Sequence, residues 1–338
     1  MTEPNETSNV PATLAASLAG VPAALVPACV KALDRLIGAA VDIPVAWLKY
    51  HEAKIVSRTE GFRTIEAAIV KNATTKVEAA DGYADRVLND LVRKQYRHTE
   101  NKQAVGAAML EHLGAGEGED NSPPVNETVT NDIDDDWLNV FERYAEDAST
   151  ERMQRLWGRV IAGEVRKPGK YSMRTLRFLS EFSQADALAF SEFCAISFGD
   201  FAPTKLAKPD DEDIRSLIYL ESSGLIQGAT NAGLTVSINY NPNGQLYIRE
   251  SGLGILIQGE PNTKFVRPVI TLTPLGQELL TLLPGRDARA AARRVAEAMR
   301  DEATKSAYLV SISEGGAVIP MEILWQEVLP TPPITNPS

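Results

Sequence analysis

The chain has 338 residues, of which 44% are hydrophobic, and this is enough to build two or three buried cores. It carries 34 basic and 45 acidic residues, and the net charge of -11 opposes general binding to nucleic acids or anionic lipids. The two cysteines, Cys29 and Cys194, have no Cys or His neighbours at ligand spacing, so neither a disulfide framework nor a zinc site is predicted. The polar, acidic start lacks the basic region of a secretory signal, which favours a cytoplasmic location.

The N-terminal part is predicted as a disordered tail, residues 1–12, followed by an apolar segment and a long helical arm, residues 13–113. Positions 14–30 carry no charge, but Pro22 and Pro27 interrupt them, which argues against a membrane crossing. Residues 14–50 fit either helix packing within an oligomer or peripheral contact with the inner membrane surface, and packing is favoured. The candidate contact residues are Leu36, Ile37, Val41, Trp47 and Leu48.

Residues 51–113 contain no proline and repeat apolar residues at helical intervals, which predicts one or two long helices. Residues 114–131 are rich in Gly, Pro and acidic residues with almost no apolar anchors. They are predicted to be a linker.

Four aspartates open the next segment, a predicted compact helical core domain over residues 132–208. Asp132, Asp134, Asp135 and Asp136 directly precede Trp137. Carboxylates at this position can accept hydrogen bonds from the free N–H groups of a helix start. A calcium loop would need alternating oxygen ligands, a central glycine and a terminal glutamate, which are missing, so helix capping is favoured over metal binding.

The helices that follow are marked by local start and stop signals. Ser149 is predicted to begin one helix and Pro168-Gly169 to end it. A further helix is expected over 172–179, and Ser183 with Asp186 forms a capping box before another. Short connections predict a compact bundle packed through aromatic side chains.

This block, from Trp137 to Phe190, resembles the core of an uncharacterised bacterial family, domain-of-unknown-function family number 2806. The elements that carry the resemblance are Asp136-Trp137, 149–154, Leu156-Trp157, Ala162-Gly163-Glu164, Lys167-Pro168-Gly169 and 172–176. The resemblance extends over residues 30–285 and implies a fold and a bacterial or prophage origin, but no chemistry. A looser similarity in layout links the chain to abortive-infection proteins of the alpha type.

The family-motif positions are interpreted as structural. They are Trp137, Trp157, Gly163, Glu164, Pro168, Gly169, Ser172 and Thr175. Ala162 and Gly163 permit close helix packing, and Glu164 is expected to form an ion pair with a nearby Arg or Lys. The alternative, a hydrolase that uses carboxylates of the 132–164 region, would need a second acid, a base or a metal ligand close by, and the spacing offers none.

The C-terminal part is predicted as an α+β module over residues 209–285. Residues 286–330 are predicted as a helix over 286–305 and short strands, followed by a loose tail over 331–338. A helix over 210–222, a hairpin of strands 234–240 and 246–249, a strand 266–272 and a helix after Thr273-Pro274 resemble a winged-helix layout. Residues 210–283 carry four basic and eight acidic residues, which opposes DNA binding.

The sequence thus predicts a mainly α fold with a C-terminal α+β module: a long N-terminal helical arm, a central compact helical bundle and a winged-helix-like part. It contains no recognised phosphate loop, nucleophile elbow or zinc-binding His pair, and His51, His98 and His112 are expected at the surface. No cofactor, metal or catalytic residue is predicted. The favoured function is a non-enzymatic bacterial interaction protein, prophage-linked or defensive, that binds a protein partner or itself. A winged-helix DNA-binding regulator is the alternative.

Overall fold

The computed structural model describes residues 21–37, 83–114, 132–208, 214–230, 233–313 and 316–326. About 53% of these residues are helical and 23% lie in strands, and the strands form two small antiparallel sheets in the C-terminal part. The predicted combination of a helical portion with a C-terminal α+β module is confirmed.

The described α-helices are α1 (Val26–Ile37), α2 (Tyr83–Gly114), α3 (Asp135–Glu146), α4 (Glu151–Arg166), α5 (Met173–Glu181), α6 (Gln184–Ala195), α7 (Thr204–Ala207), α8 (Arg215–Ser222), α9 (Pro274–Leu280) and α10 (Ala288–Ala298). The strands are β1 (Phe201–Pro203), β2 (Ile226–Gln227), β3 (Leu234–Asn239), β4 (Gln245–Glu250), β5 (Leu253–Gly259), β6 (Lys264–Leu272), β7 (Thr304–Ile312) and β8 (Val318–Gln326). The chain divides into two compact units near residue 176, inside α5. We call them the helical unit, which contains α1 to α4, and the α+β unit, which begins at residue 177.

The helical unit is held together by close packing of α2 against α4. Val105 and Met109 of α2 and Trp157 and Ile161 of α4 are buried. At Gly158 the two helices approach so closely that a Cβ would lie 2.4 Å from the Cβ of Ala108. The end of the predicted arm, α2, therefore packs inside this unit, and glycine at position 158 is required for the approach.

Helix α1 completes the helical unit. Its apolar stripe, which includes Cys29, Leu33 and Leu36, is buried, and α1 packs on α2, α3 and α4. Leu33 and Ile37 lie within 4 Å of the position that a Cβ on Gly106 would occupy. This part of the predicted apolar segment thus contributes to a helical core.

Two antiparallel sheets organise the α+β unit. In the first, β6 pairs with β1, β2 and β3; the second has the order β4-β5-β7-β8. The predicted hairpin between 234–240 and 246–249 is wrong, because β3 pairs with β6 and β4 pairs with β5. Buried and more exposed residues alternate along β4, as predicted. Its buried residues Leu246 and Ile248 lie opposite Ile257 and Ile255 of β5.

Element boundaries at the C-terminal end also differ from the prediction. The helix expected to continue to Lys305 ends at Ala298, and β7 already begins at Thr304. Helix α10 packs on the second sheet, and the Trp325 indole N–H donates to the carbonyl of Ala296 at 3.0 Å. The core between them includes Phe198, Phe265 and Val295.

A largely buried ion pair, Arg286 with Glu250, fixes the start of α10 to the second sheet. The Arg286 guanidinium binds the Glu250 carboxylate with two hydrogen bonds, and it also donates to the carbonyls of Cys194 at 3.0 Å and Ser197 at 2.7 Å. The Glu250 carboxylate accepts a further bond from the N–H of Gly199 at 2.8 Å. These side chains therefore join the end of α6, the following loop and β4.

Candidate functional site

Glu164 is the charged side chain of the family motif that the structure buries most deeply, at 1% exposure on α4. Its carboxylate accepts hydrogen bonds from the N–H of Gly169 at 2.5 Å and the N–H of Tyr171 at 3.1 Å. Both donors belong to the loop of residues 167–172, which we call the motif loop. The carboxylate therefore replaces water as the acceptor for two N–H groups of the motif loop.

Tyr171 is the residue around which the other motif positions assemble. The Trp137 indole N–H donates to the Tyr171 carbonyl at 2.7 Å, and the tyrosine ring packs on Gly163, where a Cβ would lie 2.6 Å from the ring. Tyr171 was not singled out from the sequence. The sequence signal that could have indicated this contact is Gly163, directly before Glu164, because a glycine in a helix leaves room for a large side chain to pack against it.

The remaining motif positions shape the turn and the core. Gly169 has a φ of +80°, a left-handed conformation that favours glycine, and it follows Pro168 in the turn after α4. The Ser172 hydroxyl accepts from the N–H of Thr175 at 3.3 Å at the start of α5. Trp157 lies deeper, edge-on to Phe141, with ring centroids 5.6 Å apart. The structure thus brings the motif positions to one loop and its supporting core.

Asp132, Asp134 and Asp135, three of the aspartates before Trp137, have structural partners. Asp134 caps α3 by accepting from the N–H of Trp137 at 2.8 Å. The Lys31 ammonium of α1 contacts Asp132 at 2.9 Å and Asp135 at 3.0 Å, and hydrogen bonding to these carboxylates raises its pKa. Within the described ranges, no three Asp, Glu, His or Cys side chains come together as metal ligands would.

A polar contact between α2 and α3 was not predicted from the sequence. Lys102 donates to Glu142 at 2.9 Å and contacts Glu146 at 3.3 Å. Burial alone would lower the pKa of Lys102, but the hydrogen bonds to these carboxylates outweigh it and the pKa is raised. His98, expected at the surface, is only 16% exposed in its side chain, and its Nδ1 lies 3.3 Å from a Glu146 oxygen. These polar contacts join α2 to α3, the helix that carries Trp137.

The candidate contact residues of the N-terminal segment are placed only in part. Leu36 is 2% exposed in the core of the helical unit, and Ile37 is half-buried beside Gly106. Val41, Trp47 and Leu48 lie outside the described residues. None of the described helices combines the length and apolar character that a membrane crossing requires.

In the α+β unit, α8 buries one face and exposes another. Leu217 and Leu220 are buried, whereas Ile214, Ile218 and Tyr219 are 38%, 42% and 47% exposed. These three exposed apolar side chains lie beside the exposed Arg215 and Ser216, and we call Ile214, Ile218 and Tyr219 the α8 face. The Tyr219 hydroxyl donates to the Asp186 carboxylate at the start of α6, which fixes the ring in place.

The end of α8 is tied to the loop before β3 by Glu221. Its carboxylate accepts from the N–H groups of Gly228 at 2.7 Å, Ala229 at 3.1 Å and Thr230 at 2.8 Å, and from the Thr230 hydroxyl. Partial burial opposes ionisation, yet the hydrogen bonds from Thr230 and the backbone lower the Glu221 pKa. The Lys208 ammonium donates to the Ala229 carbonyl, so the loop is held from two sides.

Comparison with known proteins identifies one family. Residues 94–207 match the model described as "Protein of unknown function (DUF2806)", a span from α2 to α7 that includes all eight motif positions. No curated protein and no solved structure matches the chain significantly. The predicted resemblance to domain-of-unknown-function family number 2806 is thereby confirmed across residues 94–207.

Proposed function

We infer that this chain is a non-enzymatic interaction protein that binds a protein partner through the α8 face. The observation that carries the proposal is the exposure of Ile214, Ile218 and Tyr219 on one helix. Aromatic and apolar side chains on a rigid surface are the usual anchors of protein interfaces.

The support of α8 favours a preformed binding surface. Tyr219 is held by Asp186, and the end of the helix is held by the bonds between Glu221 and residues 228–230. Little side-chain or loop freedom is lost when a surface of this kind binds, so more of the contact energy contributes to affinity.

The alternative, a winged-helix regulator that contacts DNA, draws support from the first sheet. Strand β6 lies between β1 and β2, and α8 directly precedes β2. The hairpin β4–β5, between β3 and β6, corresponds to the wing. Its Leu246, Ile248, Ile255 and Ile257 are buried in the core under α10, which leaves less of a free wing for DNA.

Charge separates the two candidates. A DNA-contacting helix needs basic residues to displace the counterions of phosphates. Helix α8 contains a single basic residue, Arg215, and its exposed side chains include the apolar Ile218 and Tyr219. Protein binding is therefore the better proposal, and nucleic-acid binding is the second.

A hydrolase that uses the 132–164 carboxylates receives less support. The Glu164 carboxylate accepts hydrogen bonds from two backbone N–H groups, and the Asp134 side chain caps α3. Asp132 and Asp135 form ion pairs with Lys31. We propose structural roles for all four. The cytoplasmic location, self-association through residues 14–50 and the prophage or defence setting stay predictions.

Photo-crosslinking in the native host tests the proposal. In one variant, the photo-activatable amino acid benzoylphenylalanine replaces Ile218. In the control variant, it replaces Arg289, an exposed residue of α10. We expect a discrete protein adduct at position 218 that is absent at position 289. Nucleic-acid adducts at 218, together with salt-dependent binding to duplex DNA at low ionic strength, would instead establish the regulator. Equal labelling at both positions would refute a specific α8 face.

A further inference from the structure

Strand β3 has one free edge in the first sheet of the α+β unit. It pairs with β6 on one side, and none of the other described strands pairs with its outer side. Thr235, Ser237 and Asn239 of this strand are exposed to solvent. The free edge is therefore accessible to a strand of another molecule.

The register shows which backbone groups of β3 point outward. The N–H of Tyr240 donates to the carbonyl of its direct partner Thr263 at 3.0 Å. Hydrogen-bonded partners alternate with non-bonded partners in an antiparallel pair, so the even-numbered residues of β3 bond to β6. The N–H and C=O groups of Thr235, Ser237 and Asn239 therefore point away from β6. Among the described residues, none accepts from or donates to these outward groups.

Strand β3 lacks the features that usually protect an edge strand. Charged side chains and proline are the common protections against pairing with another chain. The edge strand β4 contains Arg249 and Glu250, and the edge strand β8 contains Pro320 and Glu322. The sequence of β3, LTVSIN, contains neither a charge nor a proline, and its β-branched residues favour strand pairing.

The backbone of a second β3 complements this free edge. Two copies can run antiparallel about a two-fold axis that passes between their Ser237 residues. Ser237 then pairs with Ser237, and Thr235 of each copy pairs with Asn239 of the other, so every outward N–H faces an outward C=O. About six main-chain hydrogen bonds result, because each bonded pair exchanges two.

The side chains match in the same register. Val236 of each copy lies opposite Ile238 of the other, at the closely spaced positions between hydrogen-bonded pairs. Both side chains are half-buried against the core of the α+β unit, so this contact removes more of their apolar surface from water. Hydroxyl and amide side chains meet on the other face, and no like charges come together.

We propose that β3 pairs with β3 of a second copy and joins two first sheets into one continuous sheet. One strand from each copy makes a small contact, so the dimer is weak. Sedimentation velocity of the full chain, over a wide range of micromolar concentrations, should give a mass that rises from 36.7 kDa towards twice that value. The contact is separate from the α8 face, and its failure would leave the partner-binding proposal intact.

Substitutions at Ser237 test the backbone contact. Ser237→Pro removes an outward N–H and leaves the bonds to β6 in place, and we expect a monomer at every concentration. Ser237→Ala keeps the N–H and should dimerise like the unsubstituted protein. Circular dichroism of both variants checks that the fold is retained.

A charge pair at the same position tests the two-fold axis and does not depend on proline. Ser237→Lys and Ser237→Glu each place two like charges directly opposite each other, so each variant alone should be monomeric at low salt. An equimolar mixture of the two should form a dimer. A protein that stays monomeric, a dimer that folded Ser237→Pro leaves unchanged, or a mixture that does not associate would overturn the proposal.

Discussion

Gly158 and Ala108 are in direct backbone contact: a Cβ on Gly158 would lie 2.4 Å from the Ala108 Cβ and 2.9 Å from the Ala108 carbonyl carbon. Two of the three nearest atoms, the Ala108 carbonyl carbon and the Met109 nitrogen, belong to a helix backbone, and the Ala108 Cβ is fixed to it, so none can move aside as the end of a flexible side chain can. The distance between α2 and α4 is therefore set by the absence of a side chain at position 158.

Gly158→Ala should destabilise the protein by about 1–3 kcal/mol, the usual cost of overpacking, although alanine is the better helix former. Urea unfolding monitored by the fluorescence of Trp137 and Trp157 measures the effect. Gly114→Ala is the control, since nothing lies within 4 Å of that Cβ position. Equal stability of both variants would contradict the close contact.

Glu164→Gln should lower the free energy of unfolding by about 1–3 kcal/mol, because the buried, charged acceptor of two N–H groups of the motif loop becomes neutral. The same urea experiment applies. Glu151→Gln removes an exposed partner of Arg155 and should change stability by less than about 0.5 kcal/mol. A Glu164→Gln protein of full stability would mean that the motif loop does not depend on the carboxylate.

Glu221→Gln should make stability less dependent on acidic pH. The folded-state pKa of Glu221 is lowered, so its contribution is fully present above its ordinary value of 4.5 and is lost as pH falls through the lowered value. Unfolding curves of the two proteins should differ at neutral pH and converge at low pH. A constant difference across this range would show that ionisation of Glu221 is not involved.

Arg286→Met should cost about 3–5 kcal/mol, because it leaves the Glu250 carboxylate buried without its cation. Adding Glu250→Met should restore part of that loss, since no buried charge remains. The Ser197 and Cys194 carbonyls still lose their donor, so recovery should be incomplete. Calorimetric unfolding of the single and double variants tests the coupling, and purely additive losses would argue against it.

The features predictable from sequence are those whose partners lie one helical turn apart. Asp134 caps α3, Ser183 and Asp186 form both bonds of the predicted capping box, and Thr273 accepts from the N–H of Gly276 at the start of α9. Each is an i to i+3 contact that local residue types specify.

Contacts between distant positions could not be predicted in the same way. Lys31 is about one hundred residues from Asp132, and periodicity does not indicate such a partner. The alternation of residues in β3 and β4 did not reveal that β3 pairs with β6 and β4 with β5. For Glu164 the sequence suggested a structural role, but it did not indicate the backbone N–H donors that the turn after its own helix supplies.

The contact of Lys31 with Asp132 and Asp135 has a practical consequence for any shortened version of this protein. Helix α1 supplies the cation that these aspartates bind and fills part of the space beside α2. Deleting the first fifty residues would therefore open the helical unit as well as remove part of the apolar segment. A truncation meant to preserve the family domain should begin before Val26, even though the matched span starts only at residue 94.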